Sequence, residues 1–345
     1  MTLRLGTRRS ALALAQSGHV ADAITRLTGV PVELVPIVSK GDVSRASLAQ
    51  MGGTGVFATR LREALLAGEC DLLVHSLKDL PVAAAPGLVV AGIPPREDAR
   101  DVVVTSDPGG LGALPPGAVV GTGSPRRIAQ LRRRAPRVNA KDLRGNVDSR
   151  MQRVRDGELA GVVLAAAGLS RLGLFDPAED VDGPRPGLGA ASDLYLEPLG
   201  LAEWPTAAGQ GALAVEIRED APSPVRQAVA ALDDAASRLA VTIERGILAD
   251  IEAGCHAPVG VHAEIDGDEA RVRSVVYAID GSTRVGVDRT ESLTGGYSRT
   301  TGGGNGANAA DGADPTARAA LIGSAIARRL LDRGAAGLVS RESPQ

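Results

Sequence analysis

Asp79 closes the stretch Asp71-Leu72-Leu73-Val74-His75-Ser76-Leu77-Lys78-Asp79-Leu80-Pro81, in which a short apolar run ends at a turn that a proline terminates. An acid delivered to the end of a buried strand, beside Lys78, is a candidate for electrostatic or proton-transfer work. A plain ion pair with Lys78 or a nearby arginine is the competing reading. Basic stretches recur at three other points: Thr7-Arg8-Arg9-Ser10, Gly121-Thr122-Gly123-Ser124-Pro125-Arg126-Arg127, and Leu143-Arg144-Gly145-Asn146 ahead of Arg150. In the second, Ser124 is a natural N-cap and Pro125 suits the first helical position. Two arginines in the first turn nevertheless oppose the helix dipole, at ~0.3 to 1 kcal/mol each. A bound anion would reverse that penalty by accepting from helix N–H groups and both guanidinium groups. The alternative is a solvated basic face continued by Arg132, Arg133 and Arg134. Cys255 stands in Glu252-Ala253-Gly254-Cys255-His256-Ala257-Pro258, a Gly- and Pro-shaped loop that suits either a reactive, modified thiol or a structural one.

These residues need strand ends and helix starts to hold them. Short apolar runs at 3–6, 32–38, 72–75, 102–105, 119–121 and 162–164 read as strands, and helical periodicity covers 11–27, 56–67, 126–134 and 147–156. That alternation is an α/β pattern, in which ligands meet the carboxyl ends of strands. After Pro222 the pattern changes to two helices (225–232, 237–251), a meander of three strands (261–265, 270–278, 283–288) with Asp-Gly turns, and a closing helix over 315–333. The stretch 291–314, rich in Gly, Ala, Asn and Thr, has almost nothing to bury and reads as a disordered insertion.

Composition narrows the function classes. The 345 residues, 44% hydrophobic, allow two or three domains with cores of their own. Aromatic residues make up 2% and the net charge is -3, which argues against base stacking or a generally basic surface for nucleic acid, despite the run from Arg126 to Arg134. Cys70 and Cys255, with four scattered histidines, form neither a disulfide framework nor a metal-ligand spacing, so no metal is expected. No segment has the length of a signal peptide core or a membrane span, so a soluble cytoplasmic protein is expected.

Six motifs, in order, resemble the porphobilinogen deaminase (hydroxymethylbilane synthase) family: Gly6-Thr7-Arg8-Arg9-Ser10-Ala11-Leu12-Ala13, His75-Ser76-Leu77-Lys78-Asp79-Leu80-Pro81, Gly121-Thr122-Gly123-Ser124-Pro125-Arg126-Arg127, Leu143-Arg144-Gly145-Asn146-Val147, Gly209-Gln210-Gly211-Ala212 and Gly254-Cys255. The resemblance implies a transferase of tetrapyrrole synthesis that joins four porphobilinogen molecules head to tail, releasing ammonia each time. It implies a dipyrromethane cofactor on Cys255 through a thioether, contacted by Lys78, Asp79, Ser124, Arg126, Arg127, Arg144 and Gly145. Substrate contacts fall on Arg8, Arg9, Ser10, Arg144, Arg150 and Gln210, and Asp79 matches the catalytic aspartate. Each pyrrole carries an acetate and a propionate, and the arginine fork suits carboxylates. A carboxylate among cations stays ionised and is a poor general acid near neutral pH. Asp79 is therefore expected to stabilise cationic species, with proton shuttling as a second role.

The implied fold is two periplasmic-binding-protein-like α/β domains, 1–98 with 208–222 and 99–207, plus a small α+β C-terminal domain, 223–345, with a three-stranded sheet. A lid loop is expected at about 42–60. It departs from relatives that read Gly-Gly-Lys-Gly, having Gly52-Gly53-Thr54-Gly55 with neutral Gln50 and Thr59, and the cysteine motif reads Ala253-Gly254-Cys255 in place of Gly-Gly-Cys. The expected partners are porphobilinogen and the next pathway enzyme, which would receive hydroxymethylbilane, with no nucleic acid or membrane and a monomeric state. A two-domain organic-anion binding protein without catalysis is the other reading; it would need the basic junctions but neither Asp79 nor Cys255.

Overall fold

The computed structural model describes residues 1–37, 56–178, 183–252, 257–294 and 314–339. Cys255, residues 42–55 of the expected lid and residues 295–313 of the Gly-rich stretch lie outside them. In chain order the first group of elements is β1 (Leu3–Thr7), α1 (Ala11–Thr28), β2 (Val32–Pro36), α2 (Val56–Leu66), β3 (Leu72–Ser76) and β4 (Leu88–Gly92). The second is β5 (Asp101–Thr105), α3 (Gly110–Ala113), β6 (Val119–Gly121), α4 (Pro125–Arg134), β7 (Asn139–Lys141), α5 (Val147–Arg155), β8 (Gly161–Ala165), α6 (Ala166–Arg171), β9 (Arg185–Pro186) and β10 (Tyr195–Leu199). The third is β11 (Leu213–Arg218), α7 (Ser223–Ala230), α8 (Ala235–Asp250), β12 (Val259–Asp266), β13 (Glu269–Tyr277), β14 (Arg284–Ser292), α9 (Pro315–Asp332) and α10 (Ala336–Val339).

The first sheet has the order β2-β1-β3-β11-β4 and the second β7-β6-β8-β5-β10-β9. Both begin with three parallel strands, β2-β1-β3 and β7-β6-β8, joined through helices. Both then accept an antiparallel strand that arrives from the other lobe, β11 beside β3 and β5 beside β8. All five residues of β5 are buried, which is why a run of apolar residues rather than an alternation marks it. α1 starts at Ser10, whose side chain accepts from the Ala13 N–H, and ends at Gly29 in the left-handed conformation (φ 71°). Between these stops Val20, Ala21 and Ile24 face the first sheet's core.

The third sheet, β12-β13-β14, is an antiparallel meander covered by α8 and α9. α7 behaves differently from its expected place in this third region: Val225, Ala228 and Val229 are buried with the β1, β3 and β11 core. β14 also runs past the expected 288 to Ser292, and Leu293 is buried in the third core, donating its N–H to Asp268 O. The Gly-rich stretch is therefore structured over 291–294. At its other end Asp314 caps α9 by accepting from Thr316 N–H.

Candidate active site

The two antiparallel insertions determine what reaches the ligand edge. β5 runs against β8, so its first residue, Asp101, pairs with Ala165 at the carboxyl end of β8. β11 runs against β3 with Leu213 opposite Ser76, so Gln210, just ahead of it, arrives beside the turn that carries Lys78 and Asp79. Asp101 is fully buried and accepts four hydrogen bonds: from Arg126 Nη1 (2.9 Å), Arg127 Nη2 (2.6 Å), Gln210 Nε2 (2.8 Å) and Trp204 Nε1 (2.8 Å). Burial pushes its carboxyl up, but Arg126, Arg127 and these donors outweigh burial and hold it well below the usual carboxylate range. The chain of contacts continues to Lys78, whose Nζ donates to Gln210 Oε1 at 3.3 Å.

Arg126 and Arg127 are thus neither a solvated face nor free cations. Their acid comes from a strand 25 residues earlier, and both guanidinium groups are buried. Ser124 caps α4, its side chain accepting from Arg127 N–H. Arg126 also donates to Gln130 Oε1 (2.7 Å) and Pro205 O (3.2 Å), and Arg127 to Val163 O (2.9 Å). The Nε atoms of Arg126 and Arg127 are buried without a partner among the described residues, and burial pulls the Arg126 guanidinium below its ordinary range against the pull of Asp101.

Around this platform the remaining charges are more open. Asp79 is exposed on the 3-10 turn Leu77–Asp79 and makes no ion pair among the described residues. Lys78 is half-buried, its ammonium pushed down to about 8 by burial and by Arg127, against Asp79 and Asp101. Half-buried Arg150 donates from Nε to Gly145 O (2.8 Å); burial, then Arg127 and Arg144, lower it, while Asp142 and Asp79 oppose them. Asp79 of the first lobe therefore lies within electrostatic reach of Arg150 of the second. Gly145 has φ 123°, and a Cβ there would collide with Ser149 Oγ, so the turn before α5 requires glycine. Arg144 is exposed, with Asp142 4.0 Å away. At the junction of β1 and α1, Arg8 is half-buried, Arg9 is exposed without an ion pair among the described residues, and Ser10 is the cap.

Reading by sequence misses Asp101, Trp204 and Gln130. An acid directly before the three-valine run Val102–Val104 is the available signal for Asp101. Among the described residues no group of His, Cys, Asp and Glu could hold a metal ion, and no helix is long and apolar enough to cross a membrane.

Two lobes joined by crossing segments, with a carboxylate exposed opposite an arginine-rich edge, define a clamp for a polyanionic ligand with a group able to act on it. Residues 3–225 match the family model "Porphobilinogen deaminase, dipyromethane cofactor binding domain", and residues 238–295 match "Porphobilinogen deaminase, C-terminal domain". Relatives named porphobilinogen deaminase include one from Leifsonia xyli subsp. xyli, 51% identical over 82% of either chain. Another, porphobilinogen deaminase 1 of Streptomyces coelicolor, is 49% identical over 99% of this chain and 98% of its own. Among solved structures, the methionine-binding protein MetQ covers 67% of this chain and 89% of its own at 16% identity and a TM-score of 0.40. The chain belongs to the porphobilinogen deaminase family, and is a transferase with that family's dipyrromethane cofactor-binding domain.

Proposed function

We propose that the protein condenses four porphobilinogen molecules head to tail, with loss of ammonia at each addition, as hydroxymethylbilane synthase. The observation that carries the reading is Asp79, exposed and unpaired among the described residues, within reach of Lys78 and Arg150. The dipyrromethane cofactor, joined to Cys255 by a thioether, supplies the pyrrole end on which the chain grows. The donor set suits it: Lys78, Arg127, Arg144 and Arg150 crowd their positive charges together, and the buried Nε atoms of Arg126 and Arg127 lack acceptors among the described residues. A ligand rich in carboxylates relieves that crowding.

Lys78, Ser124, Arg126, Arg127, Arg144 and Gly145 hold the cofactor side of the cleft. Arg8, Arg9, Ser10, Arg144, Arg150 and Gln210 hold or orient the substrate side. Gln210 and Arg126 act from beneath, since both are buried and donate to Asp101 and to backbone carbonyls. Asp79 stabilises positive charge that develops on substrate as ammonia leaves, and passes protons already carried by the substrate ammonium. Residues 1–98 with 208–222 act as the catalytic lobe, 99–207 as the arginine-rich lobe, and 223–345 as the unit that carries Cys255, with α7 packed on the first lobe. The protein works as a cytoplasmic monomer, without nucleic acid or membrane, and hands hydroxymethylbilane to the next enzyme.

Intact-mass measurement tests this directly. The purified protein should exceed its sequence mass by a covalent dipyrromethane, and Cys255→Ala should match its sequence mass. An adduct persisting in Cys255→Ala would overturn the attachment site. No adduct and no ammonia release by the wild type would favour the non-catalytic anion binder.

A further inference from the structure

Asp79 is exposed, so its own side-chain contacts do not explain how it stays in place. Its turn is held through the backbone. Leu77 N–H donates to Ala212 O (3.0 Å), Leu80 N–H to Leu77 O (3.1 Å), and the carbonyls just beyond Asp79 face one guanidinium. Arg245 of α8 donates from Nη1 to Leu80 O (2.9 Å) and from Nη2 to Pro81 O (2.7 Å), with Leu77 O at 3.5 Å from Nη1. No carboxylate pairs with Arg245 among the described residues, so its charge is met by these carbonyls. A planar fork can bridge consecutive carbonyls, which a point charge cannot. α8 ends at Asp250, five residues ahead of Cys255.

We infer that Arg245 is a positioning residue, which fixes the turn bearing Lys78 and Asp79 against the helix leading to the cofactor-attachment cysteine. The inference rests on the reading of Asp79 above. It separates two jobs in neighbouring residues of α8. Glu244 anchors the fold, accepting from Arg96 Nη1 (2.7 Å), Gly209 N–H (2.6 Å) and Ala263 N–H (2.8 Å). Arg245 sets where Asp79 stands relative to the end of the growing chain.

The test is Arg245→Met and Arg245→Lys in cofactor-loaded full-length protein, measuring kcat and KM for porphobilinogen, single-turnover ammonia release, intact mass and Tm. Misplacing a reacting group by about an ångström can cost ~100-fold, so Arg245→Met should lower kcat by about 10- to 100-fold while KM changes less than about threefold and the cofactor mass stays. Arg245→Lys, which keeps the charge and can reach one carbonyl, should fall between Met and wild type. In an Asp79→Asn background the Met substitution should slow ammonia release no further. Wild-type kcat in Arg245→Met overturns the inference, as does an equal slowing with and without the Asp79 carboxylate. Should the Met variant fail to fold, wild-type kcat in Arg245→Lys overturns it. If Asp79→Asn is slow and the Arg245 variants are not, the positioning role alone falls; if Asp79→Asn keeps the wild-type rate, the reading of Asp79 falls and the positioning role with it.

Discussion

The junctions after β1 and β6 occupy equivalent places in two sheets of matching strand order, and both put an arginine pair beside a serine cap. Their arginines nevertheless end in different states. After β1, Arg9 is exposed with no ion pair among the described residues; after β6, Arg126 and Arg127 are buried on Asp101. The difference lies in the antiparallel strand each sheet receives. β5 brings an acid to the foot of α4, whereas the chain entering β11 brings the neutral Gln210 to the turn beside Lys78. One junction presents an exposed cation, which the proposed function uses to capture substrate, and the other holds two buried cations on one anion.

Replacing Asp101 by Asn should break this contrast most severely. It strands two buried guanidinium groups, and removing one partner of a buried pair costs ~3 to 5 kcal/mol. Denaturant unfolding should show that loss, and a stability within experimental error of wild type would show that Arg126 and Arg127 do not depend on Asp101. Arg126→Leu leaves Asp101 with Arg127, Trp204 and Gln210, so the loss should be nearer the ~1.5 to 3 kcal/mol of one charged hydrogen bond. The matched change at the other junction, Arg9→Leu, should move stability by under ~0.5 kcal/mol. It should instead raise KM by roughly tenfold or more, by loss of a charged contact to substrate. Equal stability losses at Arg9 and Arg126 would erase the distinction between capture and scaffold.

The smallest expected effect is in pH. Lys78 binds an anion only while protonated, so KM should rise a few-fold as pH climbs through about 8, and Lys78→Gln should remove that rise. Folding responds with the opposite sign. The Lys78 ammonium is held down in the folded state, so the unfolded chain binds more protons between about 8 and the ordinary lysine value, and this group's cost to stability fades as pH rises across that window. A KM profile unchanged by Lys78→Gln would remove Lys78 from the anion-binding set.

Much of the architecture is legible in the sequence because the inner parallel strands β1, β3, β6 and β8 are mostly buried on both faces and announce themselves as apolar runs, whereas the exposed edge strand β7, Asn139–Lys141, does not. Nor does β11: Glu216 interrupts its run, yet that carboxylate is buried with Arg62 and His75 and is part of the interior. Asp79 and the basic junctions are readable from local motifs. Asp101 is not, because an acid at a strand end ordinarily faces water, and nothing local announces that α4's arginines and a tryptophan 103 residues away will enclose it. The missing acid in the first turn of α4 is a true signal whose answer lies in another strand.

The position of β11 has a consequence for how the chain is made. β11 lies between β3 and β4, so the first sheet has a gap in its middle until Leu213–Arg218 is available. A nascent chain that has reached the end of β4 holds three joined strands and one without its partner. It must keep that exposed edge waiting while the whole second lobe is synthesised. The first lobe begins first and finishes later, so a ribosome stalled within the second lobe should hold a protease-sensitive first lobe, with order arriving only once the return crossing has emerged.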